Sequence, residues 1–133
     1  MSAPVHVAET CSTTVLVPCE VLLAYVSDPL NLPAWAPDFA ARVSPSDDGT
    51  WLVQSPEGER RIIVRASNDA GAVDFVSATD HQMGAFLRVL PSGTASLVTF
   101  SLLFPRDTAR DVVESAMRGA VQELANLREI LEP

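Results

Sequence analysis

Two helix starts follow one another between Pro18 and Trp35, and together they limit what the rest of the chain can build. Pro18 suits the first position of a helix, where its missing N–H has no intrahelical partner, and Glu20 adds negative charge at the favourable end of the dipole. Val21, Leu22, Tyr25 and Val26 give this helix an apolar face. Asp28 before Pro29 repeats the start signal, and Pro33 and Pro37 keep the second piece short. A V of two short helices is therefore expected. Before it, Val5 to Val17 alternates and is rich in Thr and Val, as a strand would be.

Five turn signals follow: Asp47-Asp48-Gly49, Pro56-Glu57-Gly58, Asn68-Asp69-Ala70-Gly71, Asp80-His81-Gln82 and Pro91-Ser92-Gly93. They divide Phe39 to Phe104 into six strands, and connections this short make neighbours antiparallel. From Asp107 the period becomes helical. Val113, Met117, Ala120, Leu124, Leu127 and Leu131 form a stripe that Val112, Ala116, Val121 and Ile130 widen, with Glu114 and Arg118 as an i, i+4 pair on the other side. Such a helix of ~25 residues is ~38 Å long, enough to cross a sheet. The fold class expected is α+β: a strand, two short helices, a six-strand antiparallel meander, and a long C-terminal helix on the concave sheet face.

Short loops also fix register, and register assigns faces. A Glu57-Gly58 loop is expected to pair Trp51 with Val64 and Val53 with Ile62. An Asp69-Ala70 loop pairs Val64 with Phe75 and Ala66 with Val73, and a Ser92-Gly93 loop sets Leu87 opposite Val98 and Ala85 opposite Phe100. A three-residue turn, Asp80 to Gln82, pairs Phe75 with Leu87 and Ser77 with Ala85. The resulting inner face is apolar and holds no Asp, Glu, His, Lys or Arg. Arg65, Asp74 and Arg88 fall on the outer face as a cross-strand charge ladder, whereas a bulge would turn Arg88 inward as an anion clamp. Leu52, Ile63, Val76, Phe86 and Leu97 share that outer face, where an exposed patch would mean a homodimer or partner surface.

Composition removes several classes of function. The 133 residues fit one domain, 1–133, with 47% hydrophobic and 20% charged residues and no run long enough to cross a bilayer. A net charge of -8, with nine Lys and Arg that form no block, speaks against nucleic acid and anionic lipid. Met1 to Thr10 lacks a basic start and an apolar stretch, so the expected location is cytoplasmic. Cys11 and Cys19 make no zinc spacing with His6 and His81, and no nucleotide fingerprint, phosphate loop or Ser-His-Asp arrangement is present. No metal and no cofactor is expected.

Val17-Pro18, Tyr25-Val26-Ser27-Asp28-Pro29, Asn31-Leu32-Pro33, Trp35, Trp51, the tight Pro56-Glu57-Gly58 hairpin and the closing helix through Leu127-Arg128-Glu129-Ile130-Leu131 resemble the START and Bet v 1-like superfamily, the SRPBCC or polyketide cyclase/dehydrase-like group with its helix-grip fold. The resemblance extends over nearly the whole chain in its order of elements. It implies a cavity between sheet and final helix, and binding of a lipid-like, aromatic or polyketide-like molecule. That group shares no catalytic set, so no catalytic residue is assigned. The candidate ligand-binding residues are Tyr25, Trp35, Phe39, Trp51, Val64, Phe75, Ser77, Leu87, Phe100, Ala116, Met117 and Ala120, with Ser77 and Tyr25 as the polar groups. The first reading is a binding protein. A cyclase-like enzyme using Asp38, Glu9, Cys11 or an inward Arg88 is the second, and a filled-core interaction module is the third.

Overall fold

The computed structural model describes residues 5–81 and 83–133; Met1 to Pro4 and Gln82, one of the expected turn residues, lie outside them. Strand β1 (His6–Val15) leads into α1 (Cys19–Val26), a single 3-10 turn (Pro29–Asn31) and α2 (Leu32–Trp35). Six strands follow: β2 (Arg42–Pro45), β3 (Trp51–Ser55), β4 (Gly58–Ser67), β5 (Ala72–Ser77), β6 (Gly84–Ser92) and β7 (Ala95–Pro105). Helix α3 (Arg110–Leu131) ends the chain. All strands join one antiparallel sheet in the order β1-β7-β6-β5-β4-β3-β2, a meander with β1 laid beside the last strand. This is the α+β helix-grip arrangement the sequence pattern implies.

The two helix starts act as their residues dictate, with one shift. Pro18 is extended (φ -61°, ψ 151°) and stands just before α1 rather than inside it, its carbonyl accepting from the Val21 and Leu22 N–H groups at 3.1 and 3.2 Å. The buried face is Leu22, Leu23 and Val26, while Val21 is 44% exposed. Asp28 caps the next turn through Oδ1, which accepts from the Leu30 N–H at 3.0 Å. Ser96 is fully buried, and its hydroxyl donates to the Val17 carbonyl at 2.7 Å, fastening β7 to the junction between β1 and α1.

Of the four hairpins with an expected register, three pair two residues away from it. The β4–β5 pairing is as expected, Val64 opposite Phe75 and Ala66 opposite Val73. At β3–β4 the loop is Pro56-Glu57, so Trp51 faces Ile62 and Val53 faces Arg60. Proline's fixed φ suits the first central position of a turn, with glycine closing it. At β6–β7 the loop is Gly93-Thr94, putting Leu87 opposite Phe100. Gly93 takes φ +59°, the positive value a tight hairpin demands at its first central position. At β5–β6, Phe75 faces Ala85 and Val73 faces Leu87. Gly84 sets this register: a Cβ there would collide with the Phe75 carbonyl oxygen, so only glycine fits. Each shift is even, and side chains alternate with period two, so every residue keeps its expected face.

Arg88 accordingly points outward. It stands opposite Ala72 rather than Asp74, yet reaches diagonally to Asp74 Oδ1 at 2.6 Å, while Arg65, directly across, is 3.5 Å from Oδ2. On the same face Val76 is fully buried, Leu97 is exposed, and Leu52, Ile63 and Phe86 are half-buried.

The apolar stripe of α3 is narrower than the sequence suggests. Val113, Ala120, Leu124 and Leu127 are buried, whereas Val112, Val121 and Ile130 are exposed. Glu114 pairs backwards with Arg110 at 3.3 Å instead of forwards with Arg118. Both ends of the helix are tied to the first strand and the segment just beyond it: Arg110 bridges to Glu9 at 3.3 Å, and Glu132 accepts from the Leu16 N–H at 2.9 Å. Between them, in the C-terminal half of the helix, the Asn126 amide donates to the Trp35 carbonyl at 3.1 Å, which joins α3 to α2.

Candidate functional site

Helix α3 leans on β1, and this tilt makes the site. Its Ala120, Leu124 and Leu127 face is spent on the core, so the neighbouring positions 116, 119 and 123 overhang the sheet. Beneath them lies a cavity of about 370 Å³. Trp35, Ala36 and Phe39 wall one side; Ile62, Phe75, Ala85 and Phe100 form the sheet side. The small residues Ala116 and Gly119 form the roof, and a Cβ built at Gly119 would meet nothing within 4 Å. Mid-helix glycine costs about 1 kcal/mol relative to alanine, and no close approach requires it here. What Gly119 provides is room.

Of the twelve residues proposed from sequence, Trp35, Phe39, Phe75, Ser77, Phe100 and Ala116 line this cavity. The other six do not. Leu87 and Ala120 are buried in packed core, and Tyr25, Trp51, Val64 and Met117 are half-buried against it. For Leu87 the cause is α1, which packs on β5, β6 and β7 and fills the end of the concave face that Leu87 lines. Burial raises the Tyr25 phenol above its ordinary value.

The expectation of an inner face free of titratable groups is overturned twice. Arg60 alternates with Ile62 on β4 and reaches the cavity rim, its guanidinium carbon 5.5 Å from the Phe39 ring centroid and Nη2 3.4 Å from Glu57 Oε2. Extending the period-two count one step back from Ile62 would have found it. Glu123 enters from the helix, four residues after Gly119 and seven after Ala116, on the face the stripe analysis passed over. It makes no hydrogen bond or ion pair among the described residues, and burial, aided by the nearby Asp38 charge, pushes its carboxyl up to about 7. Burial favours the neutral acid because an isolated charge is poorly solvated there.

A second polar group is stranded in the same wall. Trp35 is 1% exposed, its ring held edge-on by Phe75 and Phe100 at centroid distances of 5.8 and 6.1 Å, and its Nε1–H has no acceptor among the described residues. Buried donors without partners are rare in folded proteins. The site thus combines an aromatic lining with one carboxyl that titrates near neutrality, while the unpartnered indole N–H lies sealed within the packed wall.

The other candidate catalytic groups stand off the cavity wall. Asp38 is exposed, Glu9 is engaged by Arg110, and Arg88 is on the opposite face of the sheet. Cys11 lies inward beside Phe100, its thiol 3.8 Å from that carbonyl oxygen and raised first by burial and then by Glu123. Among the described residues no group of three or more His, Cys, Asp or Glu could hold a metal ion, and no helix is long and apolar enough to cross a membrane.

No protein-family model and no curated protein matches the chain. Solved structures do. A START superfamily protein from Mycobacterium smegmatis is 16% identical with a TM-score of 0.69, the match covering 94% of this chain and 97% of that one. The Zhui aromatase/cyclase from a Streptomyces species is 12% identical with a TM-score of 0.73, over 93% and 92% of the two chains. The Aha1 dimer from Colwellia psychrerythraea is 15% identical with a TM-score of 0.73, over 95% and 96%. At these identities the likeness is one of architecture, and it extends nearly end to end: the chain has the helix-grip fold of a START superfamily protein, an aromatase/cyclase and an Aha1 protein.

Proposed function

We propose that the protein binds an apolar small molecule, aromatic, lipid-like or polyketide-like, in the cavity between its sheet and α3, as a single domain spanning 1–133. The observation that carries this reading is a cavity of about 370 Å³ kept open by Gly119 and Ala116 under an otherwise well-packed helix. That volume is in the range of ligand sites, and an aromatic wall with a few polar groups is their usual composition. The decisive variant is Gly119→Phe, because the new side chain enters space that no atom occupies. Titration with 2-acetylnaphthalene, followed by tryptophan fluorescence, should give saturable binding to the parent and none to a folded Gly119→Phe protein. Equal binding by both would end this reading.

A second reading, cyclase-like catalysis on such a ligand, is favoured by Glu123. A carboxyl titrating near 7 inside an apolar cavity is suited to give or take a proton at neutral pH. The Zhui structure, an aromatase/cyclase, supports this reading through its fold. The test is turnover of a poly-β-ketone substrate by the parent and by Glu123→Gln; loss in the variant with retained binding supports it, and equal turnover refutes it. Homodimerisation, as in the Aha1 dimer, is tested by light scattering after size exclusion.

A further inference from the structure

We propose that the cavity takes an apolar molecule ending in a single carboxylate, its body under α3 and its head group held at the rim by the Arg60 guanidinium. This rests on the binding reading above and narrows it to a chemical class. Besides the sealed indole, the polar side chains of the lining are Arg60, Ser77 and Glu123. Ser77 is committed to its own turn, its hydroxyl 3.0 Å from Thr79 Oγ1 and accepting from the Thr79 N–H at 3.2 Å. Glu123 has the Asp38 charge nearby and offers nothing to an anion. Among the described residues Arg60 is the one cation of the lining.

The donors of Arg60 are largely uncommitted. A guanidinium carries several N–H groups in a fixed fork, and it pairs best with a carboxylate through two parallel bonds of about 2.7 to 2.9 Å. Arg60 makes one contact to an acid, Nη2 to Glu57 Oε2, at the longer distance of 3.4 Å, and Glu57 is 85% exposed, so water competes for that pair. Phe39, itself part of the cavity wall, lies 5.5 Å from the guanidinium carbon and fixes the cation at the mouth. The spacing suits a head group. Arg60 stands two residues before Ile62 on β4, roughly 7 Å along the strand, so a body resting on Ile62 and Phe75 ends at the level of Arg60. The Arg60 side chain is 46% exposed, and a carboxylate held there keeps part of its hydration. The chain as a whole carries a charge of -8 and repels anions, so a preference for one has a local source.

The test compares 2-naphthylacetate with 2-naphthylacetamide, an uncharged twin of the same shape, by isothermal titration calorimetry at pH 6, where the Glu123 carboxyl, titrating at about 7, is largely neutral. Decanoate and decanamide repeat the comparison with an aliphatic body. In at least one pair the acid should bind roughly five-fold more tightly than the amide, the scale of a half-exposed ion pair; the pair that shows it identifies the body as aromatic or aliphatic. That ratio should fall to one or below in Arg60→Gln, which keeps a polar side chain and loses the charge, and a ratio is insensitive to any general loosening the variant causes. Amides that bind the parent as tightly as their acids, or more tightly, overturn the carboxylate proposal while leaving the cavity reading intact. A preference for the acid that survives Arg60→Gln assigns the attraction to another group and also overturns it. If none of the four binds the parent, both readings fall.

Discussion

Glu123→Gln should stabilise the ligand-free protein at pH 8 and change it much less at pH 5. In the folded chain the carboxyl is raised from an ordinary 4.5 to about 7. Between those values the native state holds a proton that the unfolded chain has released, so stability falls as pH rises through that window and stays low above it. At ~1.36 kcal/mol per pH unit, the full gap amounts to roughly 3 kcal/mol of lost stability above pH 7, and the part that develops between pH 5 and 8 to roughly 2 to 3 kcal/mol. Glutamine has similar shape and no charge to bury, and it removes this dependence. The assay is urea unfolding of parent and variant at pH 5, 6, 7 and 8, with the difference in midpoint converted through the common slope. The difference should grow with pH and level off above 7. A difference that is constant from pH 5 to 8 would mean that Glu123 is ionised and solvated throughout, and the electrostatic account of the cavity would be wrong.

Leu124→Ala removes a side chain only 2% exposed between α3 and the sheet, and should cost about 2 to 5 kcal/mol in denaturant unfolding; a loss under half a kcal/mol would show the helix is not packed there. Asp74→Asn weakens two ion pairs whose arginines are 49% and 48% exposed, so stability should fall by less than ~1 kcal/mol and probe affinity should not change. Gly119→Ala adds a methyl where nothing lies within 4 Å and should raise the thermal midpoint, by about 0.5 to 1 kcal/mol of helix propensity. Gly84→Ala drives a methyl onto the backbone of β5 and should destabilise by more than ~2 kcal/mol, or shift the β5–β6 register, visible as altered amide exchange in β6.

The architecture was legible because its signals are local and redundant. Capping residues, prolines and glycine-bearing turns each mark a boundary, and the 3.6-residue period of α3 contrasts sharply with the alternation before it. Register was less legible: whether Gly58 and Gly93 sit inside a two-residue loop or beside it depends on backbone dihedrals, and three hairpins came out two residues away. Faces survived because the error was even. The cavity was half legible. Trp35, Phe39, Phe75 and Phe100 followed from alternation and the second helix, but Leu87 and Ala120 did not line it, because how α1 plugs one end of the sheet and how α3 leans on β1 are tertiary facts. Glu123 was missed for the same reason: with the helix tilted, the inward face at the cavity is not the most apolar one.

The fastenings of α3 also decide how a molecule gets in and out. With Arg110 bound to Glu9 at one end, Glu132 bound to the Leu16 backbone at the other, and Asn126 holding α2 between them, lifting the helix would break all three at once. The cheaper path is past Arg60, whose half-exposed side chain lies over Phe39 at the rim and is restrained by one surface ion pair. Rotation of an exposed side chain takes nanoseconds, whereas helix displacement takes microseconds to milliseconds. On the proposed binding function, exchange through this side should therefore be quick and should accelerate in Arg60→Ala, so that a bound molecule would equilibrate fast with solution rather than stay sealed in.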